Sequence, residues 1–261
     1  MSAGDFLDLL KRQGYVLNPP FVPSLNSPAG SFVESATTIL AFKYRDGVLV
    51  AGDRRATAGT TVMYDRADKV LDIDRHTVMA IAGVPATAFE IARVLEHTFK
   101  YYRRSQLQEL SLEGKVRALS RLLKENIPMA LQGIGAVAPI FAAYDLAKGE
   151  GRIYFYDVLG AEFEGVEFAT SGSGSPGIRG VLHFTNRWGG RPLSSYPEEE
   201  AIIFALRLLE TAAEFDVATG GVKQAANVFP IVKSITREGV QEVRADRLGE
   251  LYESRVGVTH V

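Results

Sequence analysis

Three residues of this chain are of types that could carry nucleophilic chemistry together: Thr37, Asp53 and Lys69. A threonine hydroxyl is a poor nucleophile at neutral pH unless a neighbouring base takes its proton, and a free α-amino group can be that base. Such an amine has a pKa of ~7.7–8.0, so it could accept the hydroxyl proton and later pass it to a leaving group. If the chain were cut before Thr37, the hydroxyl and the amine would belong to one residue.

The same residue types also have ordinary uses. A Thr-Thr pair is more often the start of a half-buried strand, because threonine is a common strand residue. A lone aspartate and a lone lysine are more often an unremarkable ion pair. The chemistry therefore depends on what accompanies Thr37, Asp53 and Lys69 along the chain.

Other common chemistries find weaker support. The chain has no cysteine, which excludes disulfides, thiolate metal sites and cysteine nucleophiles. Residues 172–177 (GSGSPG) match the GxGxxG pattern, but no second strand ends in an acid where a dinucleotide ribose needs one. The histidines lack metal-ligand spacing and none joins a serine in a nucleophile elbow, so we expect no metal and no cofactor. They are His76, His97, His183 and His260.

Composition bounds the class of protein. A chain of 261 residues, 46% of them hydrophobic, can bury a substantial core. Its net charge is -2 and its basic residues are not concentrated in one stretch, so we expect no nucleic-acid partner. No apolar run approaches the ~20 residues of a membrane span, and the N-terminus is not a secretory signal. We therefore expect a cytoplasmic protein without membrane contact.

The first 36 residues read as a separable leader. A short amphipathic piece at residues 6–11 is followed by a stretch rich in proline, serine and asparagine, which opposes regular structure. We therefore divide the chain into a leader, residues 1–36, and a folded domain, residues 37–261.

After the leader, strands and helices alternate in blocks rather than singly. Ser111 is a predicted N-cap for a helix over 112–131, and a second long helix is predicted over 197–215. The first helix is predicted just after Gly83, with Ala88, Ile91 and others at helical spacing on one face. Strands are predicted over 38–42, 48–52, 70–73, 77–83, 139–146, 151–158, 166–172, 229–235 and 240–244. This order favours an α+β fold, a four-layer αββα sandwich of two antiparallel sheets flanked by helices.

Six segments, taken in order, resemble a proteasome β-subunit of the bacterial type. Asp53 lies 16 residues and Lys69 lies 32 residues beyond Thr37, as in that family. Any one motif is weak, but all of them in order cover nearly everything after residue 36. The segments are ATTI (36–39), GDRRAT (52–57), DKV (68–70), AG (82–83), GSGS (172–175) and DVATGG (216–221).

The resemblance implies a threonine endopeptidase of the N-terminal-nucleophile (Ntn) hydrolase class, freed by autocatalytic cleavage between Ala36 and Thr37. It thereby makes residues 1–36 a propeptide and residues 37–261 the catalytic domain. It places Lys69 beside the Thr37 hydroxyl, where an ammonium charge favours loss of the proton, and pairs Asp53 with Lys69. It assigns the backbone N–H of Gly83 to the oxyanion. The residues that it places around the freed α-amine are Ser173, Asp216 and Thr219.

The family's cleft residues also have counterparts here. Thr57, Gly83 and Pro85 match positions along the edges of a cleft in which an extended peptide pairs as an added strand. The first specificity pocket would be apolar with Lys69 at its base, which predicts cleavage after hydrophobic residues. Its walls would be Ala56, Ala67, Leu71, Ile81 and Phe89.

The resemblance further implies partners. Heptameric β-rings would stack between rings of α-subunits, and an ATPase ring would unfold protein substrates and feed them in. Two departures from the family pattern stand out: Ala36 replaces the usual glycine, which predicts slower processing, and Thr219 replaces a frequent serine.

Three alternatives remain at this point. A catalytically silent β-subunit would keep the fold without activity, although loss of Thr37, Asp53 or Lys69 would have signalled it. The simpler two-ring bacterial peptidase of the same fold usually has little leader and a shorter mature chain. An α-subunit would have an extra N-terminal helix and no processed threonine.

Overall fold

The computed structural model of this protein describes residues 37–58, 61–132 and 134–257. The predicted propeptide, Ala36 at its end and His260 lie outside the described residues. The strands are β1 (Thr38–Tyr44), β2 (Gly47–Gly52), β3 (Ala56–Ala58), β4 (Thr61–Tyr64), β5 (Val70–Asp74), β6 (Thr77–Ala80), β7 (Ile140–Asp145), β8 (Glu150–Tyr156), β9 (Glu162–Phe163), β10 (Phe168–Gly172), β11 (Ile231–Thr236) and β12 (Gly239–Glu242). The helices are α1 (Pro85–Gln106), α2 (Leu112–Glu125), α3 (Ile127–Leu131), α4 (Ser175–Trp188), α5 (Glu198–Phe215) and α6 (Ala245–Arg255), with single 3-10 turns at Leu193–Ser195 and Gln224–Ala226.

Two five-stranded antiparallel sheets form the centre of the fold. The first has the order β10-β1-β2-β11-β12, and the second has the order β5-β6-β7-β8-β9. A separate two-stranded ribbon, β3-β4, follows the first hairpin. In the first sheet β1 pairs with β2 on one side and with β10 on the other, so the start of β1 is held between two strands.

Helices cover the outer face of each sheet. One apolar cluster joins the first sheet to α4, α5 and α6, and includes Leu40, Leu49 and Leu206. A second joins the other sheet to α1 and α2, and a third fills the space between the sheets through residues such as Val50 and Ile140. The predicted α+β sandwich with αββα layers is confirmed.

Helix α1 forms as its periodicity predicts. The residues that face the core are spaced three or four apart, so they make one stripe on a 3.6-residue period. Pro85 stands in the first turn, where a missing N–H costs nothing. The buried residues are Ala88, Ile91, Ala92, Leu95 and Phe99.

One predicted helix is divided in two. Ser111 caps α2 as predicted, accepting a hydrogen bond from the Gly114 N–H at 3.2 Å. The helix expected over 112–131 ends at Glu125, and α3 begins after Asn126. Pro128 explains the break, because proline has no N–H to donate and its ring clashes with the carbonyl four residues earlier.

Two absences hold within the described part of the chain. None of its helices combines the length and the apolar character that a membrane span requires. That part of the chain contains no group of three or more histidine, aspartate or glutamate side chains that could hold a metal ion.

Candidate active site

The carboxylate of Asp53 is the buried centre of the candidate site. Asp53 follows β2 and is fully buried, and the ammonium of Lys69, which directly precedes β5, donates to its Oδ1 at 2.7 Å. The Thr38 N–H donates to the same oxygen at 2.8 Å, and the N–H groups of Arg55 and Gly220 each donate to Oδ2 at 2.9 Å. Four donors therefore surround one carboxylate, which compensates for its loss of hydration.

Lys69 is buried nearly as deeply as its partner. Its residue is 4% exposed, and its ammonium also donates to the backbone carbonyl of Arg55. Burial lowers the pKa of Lys69 below its usual value of 10.5, while the negative charge of Asp53 opposes that shift. The charge of Asp216 also favours the ammonium, and the charge of Arg55 disfavours it. The pKa of Lys69 is thus set by burial and by named charged neighbours.

Thr37 lies immediately before β1, next to Thr38, whose N–H binds Asp53. It is 2% exposed, and its carbonyl accepts a hydrogen bond from the Ser173 N–H at 2.9 Å. Gly172 pairs with Thr38 and has φ +96°, and a Cβ there would lie 1.8 Å from the Thr37 carbonyl oxygen. Only glycine lets β10 approach the chain at Thr37 this closely.

A second polar cluster comes from three distant parts of the sequence. The Ser173 hydroxyl, just after β10, donates to Asp216 Oδ2 at 2.6 Å. The Thr219 hydroxyl donates to the same oxygen at 2.6 Å. The Asp216 carboxylate therefore fixes two hydroxyls, and one of them belongs to Ser173, whose N–H binds the Thr37 carbonyl.

Thr38 joins the two clusters. Its N–H binds Asp53, while its hydroxyl lies 2.5 Å from the hydroxyl of Thr219 and accepts a hydrogen bond from the Gly174 N–H at 3.1 Å. All six predicted catalytic residues are consequently brought together around the start of β1. The residues at this point are Thr37, Asp53, Lys69, Ser173, Asp216 and Thr219.

Gly83 follows β6 of the second sheet and lies close in sequence to a residue that pairs with Lys69. Two residues earlier, the Ile81 N–H donates to the Lys69 carbonyl at 2.9 Å. Gly83 has φ +113° and bridges to Val137, and a Cβ would lie 2.1 Å from the Ala136 carbonyl oxygen. The resemblance assigns the N–H of Gly83 to the oxyanion, and the structure gives a separate reason for glycine at this position, the close approach of the chain's own backbone.

Replacing Gly83 by alanine is expected to lower the free energy of unfolding by about 1–3 kcal/mol. Both the positive φ and the contact with Ala136 disfavour a Cβ. Gly149 is the matched control, because it also has positive φ, at +70°, but a Cβ there would meet nothing within 4 Å. Denaturant unfolding of the two variants separates the cost of the positive φ from the cost of the contact with Ala136. An equal loss of unfolding free energy for Gly83→Ala and Gly149→Ala would contradict a contribution from that contact.

The predicted cleft residues on β3, after β4 and at the start of α1 differ in exposure. Thr57 lies on β3 and is partly buried, and among the described residues its hydroxyl oxygen has no hydrogen-bond partner. Pro85 is exposed at the start of α1. Ala56, the first residue of β3, and Ala67, which follows β4, are both partly buried.

The other predicted pocket walls belong to the second sheet and α1. Ile81 is 4% exposed and lies in the core cluster under α1 and α2, and Leu71 packs against that cluster. Phe89 is 38% exposed on α1. A pocket with these walls would therefore be bounded by core residues on one side and by an exposed ring on the other.

Sequence analysis missed several contributors. Arg55 supplies its N–H to Asp53 and its carbonyl to Lys69, and Gly220 and Gly174 supply N–H donors. Arg55 and Gly220 stand within the quoted segments 52–57 and 216–221. Almost every residue has a backbone N–H and every residue has a carbonyl, so the residue type does not predict these contacts and only the folded structure shows them.

The class of protein follows from the layers and from the strand that carries the threonine. Two antiparallel sheets between helical layers, with a threonine at the head of the first strand and a buried lysine beside it, form the Ntn-hydrolase fold. A family model described as "Proteasome subunit" matches residues 33–228. The chain therefore belongs to the proteasome subunit family.

Relatives make the assignment more specific. The chain is 37% identical to "Proteasome subunit beta 2" of Thermomonospora curvata, over 98% of this chain and 89% of the relative. It is 36% identical to "Proteasome subunit beta" of Acidimicrobium ferrooxidans, over 95% and 87%. It is 34% identical to "Proteasome subunit beta" of Streptomyces griseus, over 97% and 88%. The prediction of a proteasome β-subunit is confirmed, and with it a role as a core subunit that assembles into rings with other subunits.

Proposed function

We propose that this chain is a catalytic proteasome β-subunit, a threonine endopeptidase whose nucleophile is Thr37 after removal of residues 1–36. One observation carries the proposal: the buried Asp53–Lys69 pair is hydrogen-bonded to the backbone N–H of Thr38, one residue from the nucleophile. A buried ion pair costs free energy to desolvate, so its place beside a threonine at a strand start favours a catalytic use.

The reaction begins with transfer of the Thr37 hydroxyl proton to the freed α-amine. The hydroxyl oxygen then attacks the substrate carbonyl carbon, and the ammonium of Lys69 stabilises the developing alkoxide and disfavours a second positive charge nearby. Collapse of the tetrahedral intermediate breaks the peptide bond, and the α-ammonium gives its proton to the leaving amine. Water, activated by the same amine, hydrolyses the ester that remains on Thr37.

Two groups would support these steps. The backbone N–H of Gly83 is proposed as the donor to the oxyanion, in a strand end whose geometry is fixed by Val137 and Ala136. Ser173 and Thr219, both bound to Asp216, are proposed to orient the α-amine by hydrogen bonds. Removal of residues 1–36 would create that amine, so the same cleavage would form the base and free the nucleophile.

Substrate recognition is proposed to use the edges at Thr57, Gly83 and Pro85, with cleavage after hydrophobic residues. Apolar walls at Ala56 and Phe89 favour that preference, and the remaining proposed walls are Ala67, Leu71 and Ile81. The substrates would be unfolded proteins, admitted by an ATPase ring into a chamber of heptameric β-rings between α-rings, in the cytoplasm.

The test is to co-express the chain with its α-subunit, isolate the largest assembly and measure the intact mass of the β-chain and its hydrolysis of peptides. A mass equal to residues 37–261 together with hydrolysis supports the proposal. A full-length chain in a complete assembly would point to a silent subunit or to a block at Ala36. Ala36→Gly separates those two outcomes, because it should restore cleavage only if Ala36 is the obstacle.

The alkaline limb of the pH profile should lie below pH 10.5. The mechanism needs Lys69 as ammonium, and burial lowers its pKa below that usual value. Between the folded and unfolded pKa values the unfolded chain binds more protons, so this group makes the fold more stable, not less, as pH rises. We therefore expect kcat/KM to fall in this range while the assembly stays folded. A limb at or above pH 10.5, measured beside an unfolding probe, would contradict the role of Lys69.

A further inference from the structure

The side chain of Arg55 connects the two polar clusters of the site. Its backbone N–H binds Asp53, while its Nη1 donates to the Val217 carbonyl at 2.8 Å and to the Thr219 carbonyl at 3.3 Å. One residue therefore contacts the carboxylate that holds Lys69 and the turn that carries Asp216 and Thr219.

Polar contacts hold the turn of residues 216–219. The Ala218 N–H donates to Asp216 Oδ1 at 3.1 Å, and the Thr219 N–H donates to the Asp216 carbonyl at 2.9 Å. Val217 is 90% exposed, so its side chain anchors nothing. The Arg55 guanidinium binds the carbonyls of Val217 and Thr219, so it holds the backbone of the turn at two points.

Asp65 orients the guanidinium. Its Oδ1 lies 3.4 Å from Arg55 Nε, and its Oδ2 accepts a hydrogen bond from the Lys223 ammonium at 2.5 Å. Both cations lower the pKa of Asp65, the Lys223 hydrogen bond most strongly, so the carboxylate stays charged at neutral pH. The guanidinium of Arg66, two residues after β4, binds the Ala226 carbonyl at 2.8 Å. This contact links the chain after β4 to the 3-10 turn at Gln224–Ala226.

We propose that Arg55 is a positioning residue: its guanidinium, oriented by Asp65, holds the 216–219 turn where Asp216 and Thr219 can orient the α-amine of Thr37. Through the turn it also aligns the Gly220 N–H with Asp53. A guanidinium presents several N–H groups in a fixed plane and can bind two carbonyls and a carboxylate at once, whereas an ammonium is a point donor on a flexible stem. The proposal rests on the proposed function for its catalytic consequence, but its structural part stands separately.

The experiment compares Arg55→Gln, Arg55→Lys and Asp65→Asn in the assembled particle. Arg54→Gln is the matched control, since Arg54 is the adjacent arginine and binds Asp68 at 2.7 Å rather than the turn. Amide hydrogen exchange over residues 217–220 reports the turn, and steady-state kinetics with a peptide report catalysis. The pH profile gives a third readout, because the charge of Arg55 lowers the pKa of Lys69.

For Arg55→Gln we expect faster exchange over residues 217–220, a fall in kcat of about 10²-fold with KM nearly unchanged, and an alkaline limb moved to higher pH. Arg55→Lys should recover only part of kcat, Asp65→Asn should show a smaller loss, and Arg54→Gln should match the wild type. Unchanged exchange in Arg55→Gln would overturn the proposal, as would a faster-exchanging turn with unchanged kcat. If the wild-type particle is inactive, the proposed function fails, and the exchange data alone decide whether Arg55 holds the turn.

Discussion

Peptide hydrolysis by the assembled particle should fall by about 10⁴-fold or more when Thr37 is replaced by alanine, and the β-chain should keep residues 1–36. Both results have one cause, since the same hydroxyl would attack the bond after Ala36 and the bond of a substrate. Serine at position 37 keeps a hydroxyl on the same backbone, so Thr37→Ser should process and hydrolyse measurably. Intact mass and peptide hydrolysis, measured on one preparation, check the two effects together.

Processing and catalysis can be separated by expressing residues 37–261 directly behind a cleavable tag that leaves Thr37 at the N-terminus. In that form Thr37→Ala still lacks activity if the hydroxyl is the nucleophile, whereas the wild-type sequence is active without any self-cleavage. Hydrolysis by Thr37→Ala, in either form, would refute the assignment. Assembly should survive the substitution, because alanine fits a buried strand start and the Thr37 carbonyl still accepts from Ser173.

The fold was predictable where periodicity or turn chemistry was strong. The buried stripe of α1, the cap at Ser111 and the hairpin from β1 to β2 all follow from short-range patterns. The exposed ribbon β3-β4 was missed because all four residues of β4 face solvent and show no alternation. Helix α6 was also missed, since only Leu248 and Leu251 are buried on it and five of its 11 residues are charged.

The grouping of the candidate site's side chains was predictable for residues that stand in recognisable segments, whereas contacts made by the backbone were not predictable. The sequence separates Asp53 from Gly220 by 167 positions, yet the N–H of Gly220 completes the carboxylate's hydrogen bonds. Arg55 binds backbone carbonyls and the Asp65 carboxylate. Neither an arginine nor an aspartate stands out in a chain with 29 basic and 31 acidic residues. Long-range pairing of this kind depends on strand order, which local patterns do not specify.

Breaking the Asp53–Lys69 pair should give the second large effect, and it should change stability and activity differently. Lys69→Met leaves the carboxylate buried without its cation, and Asp53→Asn leaves the ammonium without its anion. Each is expected to cost about 3–5 kcal/mol of unfolding free energy, because an unpaired buried charge is strongly disfavoured. Each should also lower kcat by about 10³-fold, since the alkoxide loses its positive neighbour or that neighbour loses its position.

The double variant, Lys69→Met with Asp53→Asn, distinguishes a catalytic pair from a structural one. Removing both charges removes the desolvation cost, so the double variant should regain part of the lost stability while remaining inactive. The exposed pair of Lys43 and Glu167, 2.9 Å apart, is the control: Lys43→Met should change stability by at most about 1 kcal/mol and leave kcat unchanged. If the double variant recovered activity together with stability, the pair would merely support the fold, and the base and the charge that activate Thr37 would have to lie elsewhere.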